Sequence, residues 1–176
     1  MQYAVTTSIA SVALFVLFIA NTAAFAQSQT FNFEQGASAY SGFEDTTIFS
    51  ESDYSGGATT GIFSGTILNL SFGGNTQTRR ALIQADISAI PADWIVENVS
   101  LTLTVHTSGG TFGNIDYSLH PILGDWVQGS VVGPSSGGFG APADDGDATW
   151  TSRIHNSVLW AAAGGDFDPV ASATAP

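Results

Sequence analysis

Cysteine is absent from this chain of 176 residues. The protein therefore folds without disulfide bonds, whatever the redox state of its surroundings. The absence also excludes thiol catalysis and metal sites with cysteine ligands.

Lysine is absent as well, and arginine occurs only at Arg79, Arg80 and Arg153. Against 15 Asp and Glu residues, this leaves a formal net charge of −12 at pH 7 and an isoelectric point near 4.1. Nucleic acids and anionic lipid surfaces are bound by positive patches, so the composition argues against both as partners. A chain this acidic can attract divalent cations.

Residues 1–26 contain no charged side chain. Residues 9–20 form an apolar core, and Ala24-Phe25-Ala26 has the A-x-A form that signal peptidases accept. We therefore predict a signal-peptide helix over 1–26, with cleavage before Gln27 and a secreted or extracellular domain over 27–176. The periplasm and the cell surface are alternative locations for the exported domain. The basic segment of a typical signal is missing, and the apolar stretch could span a bilayer, so an uncleaved N-terminal anchor is the alternative.

Charged residues make up only 10% of the chain, and it contains 12 Phe, 4 Trp and 4 Tyr. This composition excludes a disordered chain and favours strands over helices. Alternation of polar and apolar residues is clearest over 95–107, where Leu101 and Leu103 are expected to face the core and His106 to face solvent. Other strands are predicted over 46–52, 65–72, 79–87 and 114–122.

The second half of the chain changes in character after Gly129. Residues 130–146 are rich in Gly, Ser and Pro and predict a long loop, and 148–163 are predicted to be partly helical. Regular strands separated by glycine turns predict an all-β, jelly-roll-type sandwich.

Six segments in order carry a resemblance to a known family: GFEDTTI (42–48), TRRALIQADISAIPA (78–92), VENVSLTLTV (96–105), LGDWVQG (123–129), GDATW (146–150) and GGDFDPVASAT (164–174). The chain resembles the DNRLRE-type modules, secreted β-sandwich domains that include carbohydrate-binding modules. It departs from the family at Gln84, Ala85 and Gln128. The family pattern continues beyond GGDFD, so we expect a module without its C-terminal third, by truncation or because another chain supplies those strands.

The resemblance implies an exported, non-catalytic module that binds a polysaccharide or cell-surface glycan. Arg79 or Arg80 could hold a uronate carboxylate or sugar hydroxyls. The alternative for either arginine is an ion pair with Asp86 or another carboxylate.

Aromatic side chains could stack on pyranose rings, since the apolar face of a sugar packs on an aromatic plane. We predict Tyr40, Tyr54 and Trp160 as such platforms. Trp126 and Trp150 are predicted to pack in the core.

Clustered carboxylates predict a calcium site, because Ca²⁺ takes six to eight oxygen ligands. The spacing does not match an EF-hand loop, and the alternative is a solvated acidic loop. The predicted ligands are Asp144, Asp145 and Asp147 with Glu44 and Asp45, or with Asp166 and Asp168 in their place.

No motif of a known catalytic class occurs, so we expect the protein not to be an enzyme. Two alternatives to carbohydrate binding remain open. One is a structural domain for extracellular surface assembly without a small ligand. The other is a polysaccharide-degrading enzyme, since fifteen acids offer many carboxylate pairs.

The signal-peptide prediction is tested by the N-terminal residue of the exported protein. We expect a chain that begins at Gln27, and an Ala26→Phe variant that stays uncleaved because the peptidase requires a small residue there. N-terminal sequencing of both proteins gives the result. A wild-type protein that keeps its first residues in the membrane fraction would favour the uncleaved anchor.

Overall fold

The computed structural model describes residues 28–69, 75–104, 116–134 and 138–175. The chain divides into two units, Met1–Asn32 and Phe33–Pro176. The predicted signal peptide lies outside the described residues, as does His106. Within the described ranges there is no helix, and so none that is long and apolar enough to cross a membrane.

The second unit is all-β in its described part, as predicted, and its sheets are small and antiparallel. One sheet has three strands in the order β1-β4-β3, and the other strands pair as β2–β6, β5–β9 and β7–β8. The strands are β1 (Phe43–Phe49), β2 (Tyr54–Ser55), β3 (Gly65–Asn69), β4 (Asn75–Ala85), β5 (Tyr117–Leu119), β6 (Ala141–Pro142), β7 (Ser152–Ile154), β8 (Val158–Leu159) and β9 (Ala173–Ala175).

The largest sheet is organised around β4, which pairs with β1 from Phe43 opposite Ala85 to Phe49 opposite Arg79. The β-branched and aromatic residues of β1 favour a strand. The last four residues of β1, Thr46 to Phe49, are all buried, so this end of the strand is covered on both faces.

The core lies between this sheet and the C-terminal half of the unit. It contains one apolar side chain from β1, one from β4 and three from the later segments, namely Ile48, Leu82, Trp126, Ala148 and Trp160. Ile122 and Trp150 pack against this cluster from its edge. The prediction that Trp126 and Trp150 are packing residues is confirmed.

The strand predictions near β1, β3, β4 and β5 are confirmed in position, although the limits differ by a few residues. The prediction of a strand over 95–107 is wrong for the described part, 95–104, which forms no strand. Leu101 and Leu103 are exposed there, and Ile95 is 89% exposed. The physical reason is that a strand requires a hydrogen-bonded neighbour, and none of the described strands lies beside this segment.

The prediction of partial helix over 148–163 is also wrong. This segment forms the β7–β8 hairpin, in which Ile154 pairs with Val158. Asn156 turns the chain with φ of 60°, a left-handed conformation that asparagine tolerates better than most residues. The predicted loop over 130–146 contains the short strand β6 in its described part.

Asp45 on β1 provides a test of the packing, because burial raises the pKa of its carboxyl group above 3.8. A raised pKa means that the native state binds the proton more tightly than the unfolded state, so ionisation of Asp45 opposes folding. We expect Asp45→Asn to be more stable than the wild type at pH 7. The difference should shrink as the pH falls through the raised pKa towards 3.8.

Urea unfolding at a series of pH values measures this effect. Glu44→Gln is the matched control, because the neighbouring Glu44 is exposed on the same strand and its loss of charge should change stability little. An Asp45→Asn variant that is less stable than the wild type at neutral pH would contradict the burial argument.

Candidate functional site

An open depression of about 360 Å³ lies on the surface beside the β7–β8 hairpin. We call it the hairpin depression. Most of its lining side chains are polar, and they offer hydroxyl, amide, imidazole and carboxylate groups. The lining residues are Asp53, Thr151, Ser152, His155, Asn156, Ser157 and Leu159.

Two distant parts of the chain meet in the hairpin depression. Thr151 Oγ1 donates a hydrogen bond of 2.8 Å to Asp53 Oδ1, across 98 residues of sequence. The main chain makes a second link, since Ala143 N donates to the carbonyl oxygen of Asp53 at 3.0 Å. The first bond fixes the loop before β2 against the start of the hairpin, and the second fixes it against the residue that follows β6.

Asp147 anchors the neighbouring acidic loop and is buried, with 2% of its surface exposed. Its Oδ2 accepts from Asp144 N at 3.1 Å, and its Oδ1 accepts from Ser130 N at 3.3 Å. His155 N donates to the main-chain oxygen of Asp147 at 2.8 Å. A Cβ at Gly129 would collide with the Asp147 carboxylate, and φ there is 83°, so only glycine fits.

The predicted calcium ligands are satisfied by other partners or lie elsewhere. Asp145 Oδ1 accepts from Asn156 Nδ2 at 2.6 Å, and both carboxylate oxygens of Asp166 accept from backbone N–H groups. Glu44 and Asp45 lie in β1, opposite Gln84 and Ile83 of β4.

In the ranges that the structure describes, no three His, Asp or Glu side chains are grouped so that they could hold a metal ion. The predicted ligands are therefore not grouped as a side-chain cage within these ranges. Calcium binding by the protein itself stays a prediction.

Arg79 is 3% exposed, and its guanidinium is surrounded by protein groups. Its guanidinium makes a two-pronged ion pair with Glu51, at 2.5 and 2.6 Å. Nε donates to the carbonyl oxygen of Gly138 at 3.1 Å, and the guanidinium lies 4.8 Å from the centre of the Phe49 ring. The carboxylate partner of Arg79 is thus Glu51 and not Asp86. Asp86 instead accepts from Ser88 N, and its hydrogen bonds with the backbone and side chain of Ser88 lower the pKa of the Asp86 carboxyl group.

Arg80 points to the other face of β4 and contacts two aromatic rings. Its guanidinium carbon lies 5.0 Å from the Trp150 ring centre and 4.9 Å from that of Phe167. Nη1 donates to the carbonyl oxygen of Gly164 at 2.6 Å. Arg153 donates to the carbonyl oxygen of Asp125 at 3.1 Å, so all three arginines of the chain are engaged by protein groups.

The predicted sugar platforms lie in different surroundings. Tyr40 is half-buried, packs against Phe33 and Phe43, and donates its hydroxyl to the carbonyl oxygen of Asp86. Trp160 is buried in the core, and its Nε1 donates to the carbonyl oxygen of Thr149 at 2.9 Å. Tyr54 is 39% exposed and directly follows Asp53, which lines the hairpin depression.

Most of the depression was missed by the sequence reasoning, which did not predict the hairpin. His155 lies at its turn, and the ring atom Nδ1 is buried without a hydrogen-bond partner in the described protein. The turn could have been predicted from the polar residues His155, Asn156 and Ser157 between two β-branched residues, a pattern typical of a turn between short strands. His120 is engaged elsewhere, with Asp168 and Ser118.

Comparisons with protein-family models, curated proteins and solved structures found no match to this chain. The resemblance to DNRLRE-type modules therefore stays a prediction from the sequence segments.

Removal of the buried guanidinium tests whether Arg79 holds the sheet together. We expect Arg79→Met to lose about 3 kcal/mol of unfolding free energy, because Glu51 keeps a partly buried charge without its partner. Arg153→Met is the matched control and should change stability by less than about 0.5 kcal/mol, since Arg153 makes one peripheral hydrogen bond. Urea unfolding measures both, and equal small losses would contradict a structural role for Arg79.

Proposed function

We propose that the chain is an exported, non-catalytic module of the jelly-roll sandwich type that binds carbohydrate at the hairpin depression. The observation that carries the proposal is the convergence of Asp53, Thr151, His155 and Asn156 around one open polar hollow. Sugar hydroxyls both donate and accept hydrogen bonds, and this set of groups offers both kinds of partner.

Apolar contacts complete the proposed site. Leu159 lines the depression and is 71% exposed, so it is available to the apolar face of a sugar ring. Tyr54 directly follows Asp53 and is exposed, although it does not line the depression. A volume of about 360 Å³ is at the small end for ligand sites, which suits one or two sugar units rather than a buried ligand.

The charges favour neutral glycans over polyuronates. Asp53 contributes a carboxylate to the depression, and Asp145 accepts from its lining residue Asn156. Arg79 is paired with Glu51, Arg80 donates to the carbonyl oxygen of Gly164, Arg153 makes one hydrogen bond to a neutral carbonyl group, and the chain has no lysine. An anionic polymer would therefore meet a mainly acidic surface with few cations to neutralise it.

The absence of catalysis is part of the proposal. Hydrolysis of glycosidic bonds normally uses two carboxylates that flank the bond. Asp53 is the single carboxylate among the lining residues of the depression.

Calorimetry with neutral and uronate oligosaccharides tests this function. We expect weak binding of a neutral ligand, and roughly a tenfold loss of affinity in Asp53→Asn because a hydrogen bond to a charged group is lost. Asp93→Asn is the control, since it removes the same charge in a separate exposed turn. No binding to any neutral oligosaccharide by a protein that unfolds cooperatively would overturn the proposal.

A second candidate function is surface assembly without a small ligand. One observation favours it, namely the run of exposed apolar side chains over residues 94–103. Exposed apolar patches on soluble domains commonly mark interaction surfaces.

A further inference from the structure

The chain contains a single Asp-Pro peptide bond, between Asp168 and Pro169. Bonds of this type are sensitive to acid, because an aspartate carboxylate can attack its own carbonyl carbon through a five-membered ring. The proline nitrogen has no N–H and leaves more readily than other peptide nitrogens once it takes up a proton. The contacts around this bond therefore decide whether the folded chain protects the bond or activates it.

The segment before the bond is fixed to a neighbouring piece of chain. Asp168 N donates to the carbonyl oxygen of Pro121 at 2.9 Å, and the preceding residue, Phe167, forms an antiparallel bridge with Ile122. The backbone of Asp168 is thus held in place. Pro169, on the leaving side of the bond, is exposed to solvent, so a freed amine would not be enclosed by the protein.

His120 contacts the carbonyl group that would be attacked. Its Nδ1 lies 2.8 Å from the carbonyl oxygen of Asp168, and its Nε2 lies 3.0 Å from Ser118 Oγ. A carbonyl oxygen only accepts hydrogen bonds, so Nδ1 carries a proton and donates it. The Ser118 hydroxyl can donate or accept, so the ring can hold one proton or two without loss of either bond. A donor on this carbonyl oxygen stabilises the oxyanion that forms when the carbon is attacked.

The carboxylate of Asp168 is folded over the same bond. Its Oδ1 accepts from Val170 N at 2.8 Å, so the side chain reaches across Pro169 in an Asx turn. Among the described residues, Oδ2 has no hydrogen-bond partner. One carboxylate oxygen is therefore anchored next to the bond, and the other is free to attack it.

We propose that the folded chain cleaves itself between Asp168 and Pro169 in acid, with Asp168 as the nucleophile and His120 as the oxyanion donor. Asp168 Oδ2 forms a bond with the Asp168 carbonyl carbon, and the oxyanion accepts the hydrogen bond of His120 Nδ1. Collapse of this adduct breaks the C–N bond, and the proline nitrogen leaves with a proton from solvent. One water molecule then opens the cyclic anhydride, which gives a C-terminal Asp168 and an N-terminal Pro169. The reaction occurs once per chain and is independent of carbohydrate binding.

The charged groups around His120 are compatible with a proton on its ring. Asp168 is in direct contact with it, and Asp166 is the next carboxylate along the same segment. Arg80 lies on the aromatic ring that packs against His120 and makes no direct contact with the imidazole. On the paired strands, β5 carries one titratable side chain, Tyr117, and β9 carries none. The imidazolium therefore has carboxylate neighbours and no cation in contact.

Cleavage would remove the covalent link between β9 and the rest of the domain. β9 pairs with β5 over three residues, all of them exposed, and Ser172 N adds a hydrogen bond of 2.8 Å to the carbonyl oxygen of Leu119. So short a ladder is marginal once the strand is a free peptide. We therefore expect residues 169–176 to dissociate, so that acid irreversibly opens the edge of β5.

Incubation of the full-length exported chain in buffers from neutral pH to about pH 3 tests the inference. Intact mass and N-terminal sequencing should show one new N-terminus, at Pro169. The rate should rise as the pH falls, because the leaving nitrogen needs a proton and an imidazolium is the stronger donor. It should fall again in stronger acid, where the attacking carboxylate is protonated. Circular dichroism at each pH reports whether the chain is folded.

Variants separate the two proposed roles. His120→Phe keeps an aromatic ring but removes the donor, and should cleave about tenfold more slowly, less than the roughly hundredfold loss in an enclosed oxyanion hole because solvent reaches this site. His120→Asn keeps an N–H near the position of Nδ1 and should recover part of the rate. Asp168→Asn removes the nucleophile and keeps an acceptor for Val170 N, and should stop cleavage. Asp93→Asn, in a separate exposed turn, is the control and should cleave at the wild-type rate.

The wild-type chain unfolded in urea at the same pH gives the rate of this Asp-Pro bond without His120. We expect the folded chain to react about tenfold faster. Equal rates in the two states, or a folded His120→Phe variant that cleaves like the wild type, would mean that only general acid sensitivity acts. Cleavage of Asp168→Asn at the wild-type rate would indicate a contaminating protease. A native chain that stays intact where the unfolded chain is cut would mean that the fold protects the bond. Each of these results overturns the inference.

Discussion

The buried carboxylate of Asp147 holds the C-terminal half of the domain in place. It receives N–H groups from Ser130 and Asp144, and its own main chain receives the N–H of His155. The segment of Ser130 and the hairpin turn at His155 therefore converge on the loop that contains Asp144 and Asp147. Because these donors are uncharged backbone groups, both carboxylate oxygens of Asp147 have hydrogen-bond partners without a cation.

Two of the three arginines of the chain stabilise the interior of the domain. Arg79 closes an ion pair with Glu51 against Phe49, and Arg80 lies against Trp150 and Phe167 on the opposite face of the same strand. The central strand is thus fixed on both faces by guanidinium groups, where cation–π contacts and charge-assisted hydrogen bonds add to apolar packing. Within the described ranges Arg79–Glu51 is the one ion pair, so the other carboxylates there have no salt-bridged cation and contribute to an anionic surface.

The sequence alone located those strands that are recognisable from the β-propensity and alternation of their own residues. The β-branched residues of β1 and the run from Arg79 into β4 are examples, because alternation and propensity act over a few neighbouring positions. Pairing partners are set by distant residues, so the pattern could not show that 95–104 lacks a neighbour among the described strands or that Arg79 selects Glu51. The hairpin depression was hidden for the same reason, since Asp53 and Thr151 meet across 98 residues.

The engagement of every arginine has a consequence for the resistance of the folded protein to proteolysis. Trypsin-like proteases must draw a lysine or arginine side chain into an acidic pocket before they cleave the chain. Here there is no lysine, Arg79 and Arg80 lie in the central strand β4, and Arg153 lies in β7 with its guanidinium bonded to Asp125. As long as the domain stays folded, it presents this large class of secreted enzymes with no freely extended site to attack.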